Sequence, residues 1–240
     1  MQLLVSVRDA VEAGAALVGG ADIIDAKEPA RGSLGPVGAD VFRSIAARVP
    51  DSVPLSAALG DFTARDDARA AVAGAGVPAR RAPVYLKLGF AGERSKGKVS
   101  LLLSAAQGGR AMVSGAPFLV PVAYADHESA GAPEPEEVLR SAIETGVGAL
   151  LVDTWTKDGR RLLDHIPYAR VAALSEAARG AGLVFALAGS LDASAIERVA
   201  GLADVIGVRG AACRGGRGGI VDPARVRELR ARLEDCQPAR

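Results

Sequence analysis

Cysteine, histidine, aromatic residues and lysine are all scarce in this 240-residue chain, and each scarcity removes a class of explanation. Two cysteines, Cys213 and Cys236, do not make a disulfide framework, so reduced thiols in a cytoplasmic protein are expected. The two histidines, His127 and His165, have no partner at ligand spacing, which argues against a metal centre. Aromatics are only 4% of a chain that is 49% hydrophobic, so its core is expected to be built of Ala, Val, Leu and Ile. A formal net charge of +1 gives no electrostatic case for nucleic acid or an anionic membrane, and any anionic ligand must be met locally. No apolar run approaches the ~20 residues of a membrane span, and the N-terminus reaches charge at Arg8 too soon for a signal peptide. No Gly-x-Gly-x-x-Gly follows a strand and there is no P-loop, so no dinucleotide, ATP or other cofactor is expected.

What the chain does contain is an alternation of short β-like runs with longer helical ones. The expected strands are Leu3 to Val7, Ile23 to Lys27, Pro54 to Leu59, Val84 to Phe90, Phe118 to Tyr124, Ala149 to Thr154, Leu183 to Ala188 and Val205 to Arg209. A helix is expected after each, the last over Pro223 to Leu233. Eight such units in one domain's length predict a single (β/α)₈ barrel spanning residues 1–240, with an open doubly wound sheet as the runner-up. Arg214 to Gly219 (Arg-Gly-Gly-Arg-Gly-Gly) is the one stretch expected to be flexible, and His127 to Pro135 is expected to be an acidic loop.

Lysine usage is the most informative statistic. Of 29 basic residues only five are lysine, so the chain prefers arginine wherever a positive charge suffices. Lys96 and Lys98 sit in a polar stretch and are expected at the surface. Lys27, Lys87 and Lys157 lie in or just past apolar strands, with Asp25 and Asp153 close by. Arginine stays protonated, whereas lysine can lose its proton and act as nucleophile or base, so these three predict amine chemistry at the C-terminal ends of barrel strands. Snorkelling to the barrel rim, or simple pairing with a carboxylate, is the structural alternative. Asp25 and Lys27, two apart on one strand, project from the same face.

A free lysine with pKa ~10.4 is neutral in only about one molecule in 2,500 at pH 7, and a Schiff-base lysine must be lowered by roughly three units, about 4 kcal/mol. Burial and neighbouring cations supply such a shift, while an adjacent carboxylate opposes it. Asp25 is therefore expected to orient Lys27 or stabilise an iminium, with Lys87 and Lys157 as the like charges that depress it. For phosphate, the ends of strands seven and eight offer Gly189, Ser190, Arg209 and Gly210, with glycine amides, a helix N-terminus and one bidentate guanidinium. Asp126 is read equally as a third carboxylate of the site or as a helix cap, and Cys213 as a small packed residue.

Asp22 to Pro29 (Asp-Ile-Ile-Asp-Ala-Lys-Glu-Pro) followed by Gly32-Ser33-Leu34-Gly35 resembles the start of the (5-formylfuran-3-yl)methyl phosphate synthases of methanofuran biosynthesis. The resemblance continues through Tyr85 to Gly89, Ala123 to Asp126, Leu151 to Thr154 with Lys157, and Gly207 to Gly210, and covers essentially the whole chain. It implies a barrel carbon–oxygen lyase that condenses two glyceraldehyde 3-phosphates, losing phosphate and water, to give 4-(hydroxymethyl)-2-furancarboxaldehyde phosphate. It also implies that Lys27 is the Schiff-base lysine and Lys87 a proton acceptor, with Asp25, Asp153 and Lys157 completing the site. A triose phosphate is then the expected partner, a homo-oligomer the expected assembly, and no metal is needed because an iminium supplies the activation. An imine-independent phosphosugar isomerase or synthase and a non-catalytic phosphometabolite-binding barrel remain the alternatives, because a fold alone does not select among them.

Overall fold

The computed structural model describes residues 1–95 and 97–236. Lys96, one of the lysines expected at the surface, lies outside the described residues. Eight parallel strands close into a barrel in chain order: β1 (Gln2–Val7), β2 (Ile23–Ala26), β3 (Leu55–Asp61), β4 (Val84–Gly89), β5 (Phe118–Tyr124), β6 (Ala149–Asp153), β7 (Val184–Leu187) and β8 (Val205–Val208). The pairing of β1 with β8, Leu3 opposite Ile206 and Val5 opposite Val208, excludes the open sheet.

Around the barrel run α1 (Ala10–Val18), α2 (Ala39–Arg48), α3 (Arg65–Ala73), α4 (Lys98–Arg110), α5 (His127–Ala130), α6 (Pro135–Thr145), α7 (Leu162–His165), α8 (Tyr168–Gly180), α9 (Ala193–Val199) and α10 (Pro223–Asp235). Their ends are set by local chemistry. The carboxylates of Asp9, Asp192 and Asp222 accept from backbone amides of the first turns of α1, α9 and α10, and Pro135 and Pro223 start helices where no amide donor is needed. The acidic stretch after β5 contains the single turn α5, and α7 is a further turn in the loop after β6. Both are too short to leave a clear period in the sequence. Among the described residues no helix is long and apolar enough to cross a membrane.

Strand alternation divides the core in two. Leu3, Val5, Ile24, Leu55, Leu86, Val152 and Ile206 face outward and pack under the helices against residues such as Phe42, Ile45, Leu102, Leu174 and Val226. The inward positions are mixed: Leu4, Ile23, Tyr85 and Leu151 stand beside smaller or polar side chains such as Ser6, Ser56, Ala58, Ala186, Ala188 and Gly207. Because alternate strands contribute to one layer of a barrel interior, β2, β4, β6 and β8 deliver their side chains to a common level. Asp25, Lys27, Lys87, Asp153 and Arg209 all come from these four strands or the residue immediately after them.

The stretch Arg214 to Gly219, expected to be flexible, is instead the turn of a hairpin between β9 (Cys213–Arg214) and β10 (Ile220–Val221). Glu12 of α1, fully buried, accepts from Arg8 (2.6 Å) and from Arg209 (2.5 and 3.0 Å). The two guanidiniums then grip the hairpin backbone: Arg8 donates to the Gly218 and Gly219 carbonyls, and Arg209 to those of Arg217 and Gly219. Local composition gave no sign of this, because the carboxylate is supplied from the other end of the chain.

Removing the charge of Glu12 strands a buried guanidinium, a loss worth ~3–5 kcal/mol. Glu12→Gln is therefore expected to lower Tm by roughly 10 °C in thermal unfolding, at about 2–4 °C per kcal/mol for a chain of this size. A change below about 2 °C would show that the two arginines do not depend on this carboxylate.

Candidate active site

A cavity of about 430 Å³ opens at the C-terminal end of the barrel and continues down the lumen, with Lys27, Lys87, Asp153, Lys157 and Arg217 near its mouth and Gln2 and Val184 at its far end. It exists because the inward side chains of β7 and β8 are Ala186, Ala188, Val205 and Gly207, where barrel interiors more often carry bulky branched residues.

Lys27 lies one residue past β2, yet its amide still donates to Val7 O (3.0 Å), so the strand alternation carries through and the side chain points inward. Two ion pairs flank it. Lys87 Nζ donates to Asp25 Oδ2 at 2.7 Å, and Lys157 Nζ donates to Asp153 Oδ1 at 3.0 Å and to Thr154 Oγ1 at 3.0 Å. Ser6 Oγ donates to the same Asp25 oxygen at 2.7 Å. Asp25, Lys27, Lys87 and Asp153 are all buried, and Lys157 is half-buried. Asp25 therefore holds Lys87 and Ser6; it does not bond to Lys27 as the spacing along β2 suggested. The Lys27 amine makes no hydrogen bond with any described residue.

Three amines thus share two carboxylates, and the electrostatics follow. Burial, with the charge of Lys87 and a smaller push from Lys157, lowers Lys27 to about 7 against the opposing pull of Asp153 and Asp25. Burial pushes the Asp153 carboxyl up, but Lys157, Lys27 and the hydrogen bonds from Lys157 and the Thr154 amide outweigh it and hold it at about 2. The same balance leaves Asp25 below its ordinary range, with Lys87 as the main opponent of burial. The inward direction of Lys87 and Lys157 is what makes Lys27 the amine without a counter-ion.

The phosphate candidates are only partly as expected. Gly189, Ser190 and Gly210 line the cavity. Gly189 has φ +108° and packs against Thr154, a conformation that suits glycine, and Ser190 at φ +53° is also left-handed. Arg209 is a correction. Its five N–H groups are taken by Arg217 O, Ser6 O, Gly219 O and both oxygens of Glu12, so it has no donor left for an anion. The N-terminus of α9 is likewise capped by Asp192, whose carboxylate also pairs with Arg161 (2.6 Å).

Three arginines line the cavity on this side: Arg161 is paired with Asp192 and Arg209 with Glu12, whereas Arg217, on the turn of the β9–β10 hairpin, is half-buried, donates to Gly32 O at 2.7 Å and pairs with no carboxylate among the described residues. Sequence reasoning passed over it; its signal was a lone arginine flanked by glycines just beyond the last barrel strand.

Other residues complete the mouth. Asp126 accepts from the amides of Trp155 (2.6 Å) and Thr156 (2.7 Å), so it fixes the loop that carries Lys157, and it makes no side-chain cap to α5. Tyr124, fully buried, donates to Asp61 Oδ1 (2.7 Å) and accepts from Ser33 Oγ (3.2 Å), tying β5 to β3 and to the loop after β2. Tyr124 and Asp61 meet over Gly89, where a β-carbon would collide with both. Cys213 is buried and burial pushes its thiol up, consistent with a packed residue. Lys98 pairs with Glu93 at 2.6 Å and is partly exposed, in line with a surface position. His127 and His165 join no cluster; among the described residues no group of three His, Cys, Asp or Glu is placed to hold a metal.

The family model described as 4-HFC-P synthase matches residues 3–230. The chain belongs to this family. A (5-formylfuran-3-yl)methyl phosphate synthase from Methanothermobacter thermautotrophicus is 35% identical over 238 residues, covering 98% of this chain and 99% of that protein. The synthase of the same name from Methanocaldococcus jannaschii is 34% identical over 234 residues, covering 96% and 98%. Among solved structures, KGPDC from Streptococcus mutans aligns with a TM-score of 0.64 at 14% identity, covering 99% of each chain. 3-Hexulose-6-phosphate synthase aligns at 0.58 and 18% identity over 97% of this chain and 99% of that one. At these identities the two structures show the shared barrel alone, whereas the family match concerns the whole chain.

Within the 4-HFC-P synthase barrel, Lys27 makes its own stability prediction. Its folded pKa of about 7 lies below the ordinary 10.5. The cost of burying it is therefore complete below pH ~7, shrinks as pH rises toward 10.5 and vanishes above it, for a total of about 5 kcal/mol. Lys27→Met, which leaves both ion pairs intact, is expected to raise Tm at about pH 6 by several degrees, with the gain fading toward about pH 10. A gain that does not change with pH would mean that Lys27 is not the destabilised amine.

Proposed function

We propose that this chain condenses two molecules of glyceraldehyde 3-phosphate to 4-(hydroxymethyl)-2-furancarboxaldehyde phosphate, as a carbon–oxygen lyase of methanofuran biosynthesis working through a Schiff base on Lys27. The observation that carries the reading is the state of Lys27: buried, inward, without a counter-ion, and at about 7 rather than 10.5. At neutral pH such an amine is a nucleophile in about half of the molecules, some three orders of magnitude more than an exposed lysine.

The neutral Lys27 Nζ attacks the aldehyde carbon of the first triose phosphate, and loss of water gives an iminium. The iminium draws electrons from C2, so a base can take the C2 proton, and the electrons released expel phosphate from C3. The second triose, isomerised to its ketone, takes C3 of the first at its C2 carbonyl, and ring closure and dehydration complete the furan. Lys87 and Lys157 stand on either side as the proton carriers. Each is held by a carboxylate, so each enters as an acid and becomes a base once its proton has been given up. Asp25 and Asp153 are charged when the iminium forms and stabilise the cation that replaces neutral Lys27.

Phosphate is met by the backbone around Gly189, Ser190 and Gly210 and by the guanidinium of Arg217, with Arg209 as the strut that places the hairpin. A charge-assisted contact of this kind is worth ~1.5–3 kcal/mol.

Borohydride added with glyceraldehyde 3-phosphate should reduce an adduct onto Lys27, located by peptide mass. An active enzyme whose Lys27 remains unmodified would sink the Schiff-base reading in favour of an imine-independent barrel. Lys27→Arg should keep the fold and lose phosphate release altogether, since arginine retains the charge without the nucleophile. Arg217→Gln should raise KM for the triose phosphate by roughly 10- to 100-fold while changing kcat much less. The kcat/KM profile should rise with pH through about 7, as Lys27 sheds its proton.

A further inference from the structure

The proposed condensation needs more than one phosphate position, and its chemistry sets the spacing between them. The phosphate of the first triose stands on C3 while C1 is bonded to Lys27, and this phosphate is expelled. The phosphate of the second triose is kept, and in the furan it lies two bonds farther from the carbon held by Lys27. That is roughly 2–3 Å, more than a fixed hydrogen-bonding group can follow. One cation beside Lys27 therefore cannot serve both.

Six basic side chains line the cavity among the described residues, and four are committed. Lys27, Lys87 and Lys157 form the reacting cluster, and Arg209 is saturated by Glu12 and the hairpin. Arg217 and Arg161 remain. Burial lowers the Arg217 guanidinium and the charge of Asp153 opposes it, so Arg217 stands close to the lysine cluster. Arg161 stands at the rim, past Lys157 on the loop after β6, and the bond from the Leu162 amide to Gly189 O (3.0 Å) sets it beside the loop after β7. Gly159, Ser190 and Asp192 line the same cavity, so open space runs from the lysines to its guanidinium.

Arg161 pairs with Asp192 at 2.6 Å, but the two side chains are 47% and 42% exposed, and an exposed pair of this kind contributes little. Asp192 is not stranded when the arginine leaves, because it also accepts from the Ala195 amide. A phosphate with about two negative charges offers the guanidinium a stronger, bidentate partner. The Arg209–Glu12 pair, 3% and 2% exposed, has no such freedom.

We infer that Arg161 binds the phosphate that is retained, the one carried by the second triose and by the furan product, whereas Arg217 meets the phosphate that leaves. The inference deepens the condensation reading above and rests on it. Arg161 is then the residue that selects and orients the acceptor, holding the carbonyl of the second triose toward the three-carbon fragment on Lys27. Where that triose is poorly held, the fragment has no acceptor. Phosphate has already left C3, so water adds to the iminium carbon, the C–N bond breaks with a proton passing to the Lys27 nitrogen, and the released enol takes its ketone form as methylglyoxal. The atoms balance: one glyceraldehyde 3-phosphate gives one methylglyoxal and one phosphate.

The stoichiometry of the products is the readout. Wild-type enzyme should release one phosphate for each furan formed. In Arg161→Gln, furan formation at low glyceraldehyde 3-phosphate should fall roughly 10- to 100-fold, with phosphate in several-fold excess over furan and methylglyoxal making up the difference. Arg161→Lys, which keeps the charge, should bring the ratio most of the way back. Arg217→Gln should slow phosphate and furan together and keep them equal. Equal loss of both products in Arg161→Gln, without methylglyoxal, would mean that Arg161 only supports its loop, and would overturn the inference. Uncoupling by Arg217→Gln in place of Arg161→Gln would overturn it as well. Wild-type enzyme that makes no furan removes the condensation reading itself, whereas furan from the wild type with a one-to-one ratio in Arg161→Gln removes this inference alone.

Discussion

Three amines held against two carboxylates are the constraint on which the rest of this structure depends. Lys87 takes Asp25, Lys157 takes Asp153, and Lys27 is left between them in a buried cavity. With Lys27 neutral the cluster carries no net charge; with Lys27 protonated it carries one, in a place where water cannot spread it. Depression of one lysine is thus a property of the group, and removing either carboxylate or either neighbouring amine would redistribute it. A single Lys–Asp pair would have produced two stable ions and no nucleophile.

Such a cluster needs rigid support, and the barrel supplies it through alternation. The even-numbered strands carry the charges to one level, while Ser6 and Ser56 on odd strands fill the gaps with hydroxyls. Outside the lumen, Glu12 binds Arg8 and Arg209 and through them the hairpin that presents Arg217. A buried carboxylate shared by two arginines fixes a glycine-rich turn whose ordering is otherwise opposed by a large loss of backbone entropy. Arg209 therefore reads as a ligand-binding residue from the sequence and serves as a brace in the fold.

Much of this was legible in the chain before folding. The eight apolar runs and their helices stand out because parallel strands buried on both faces lack polar interruption, so an Asp or Lys inside one is conspicuous. Lysine scarcity against an arginine background singled out Lys27, Lys87 and Lys157. What could not be read was partnership. That Asp25 serves Lys87 and not Lys27 depends on the registers by which β3 joins β2 to β4, and that Arg209 is saturated depends on Glu12, 197 residues away in sequence. The Ser33–Tyr124–Asp61 bonds and the role of Asp126 were hidden for the same reason: each joins strand ends or loops that meet only when the barrel closes.

The bond from Tyr124 to Asp61 over Gly89 gives the mouth of the barrel an unequal plan. On the side of β3 to β5 the ends are stitched together and the cavity draws on no loop there, whereas the loops after β6, β7 and β8 all border it. Groups able to receive a phosphate are gathered in that one half. The two halves of the mouth therefore differ in kind: one is closed by side-chain bonds between strand ends, the other is open and bordered by loops, so a ligand reaching Lys27 is met from one side only.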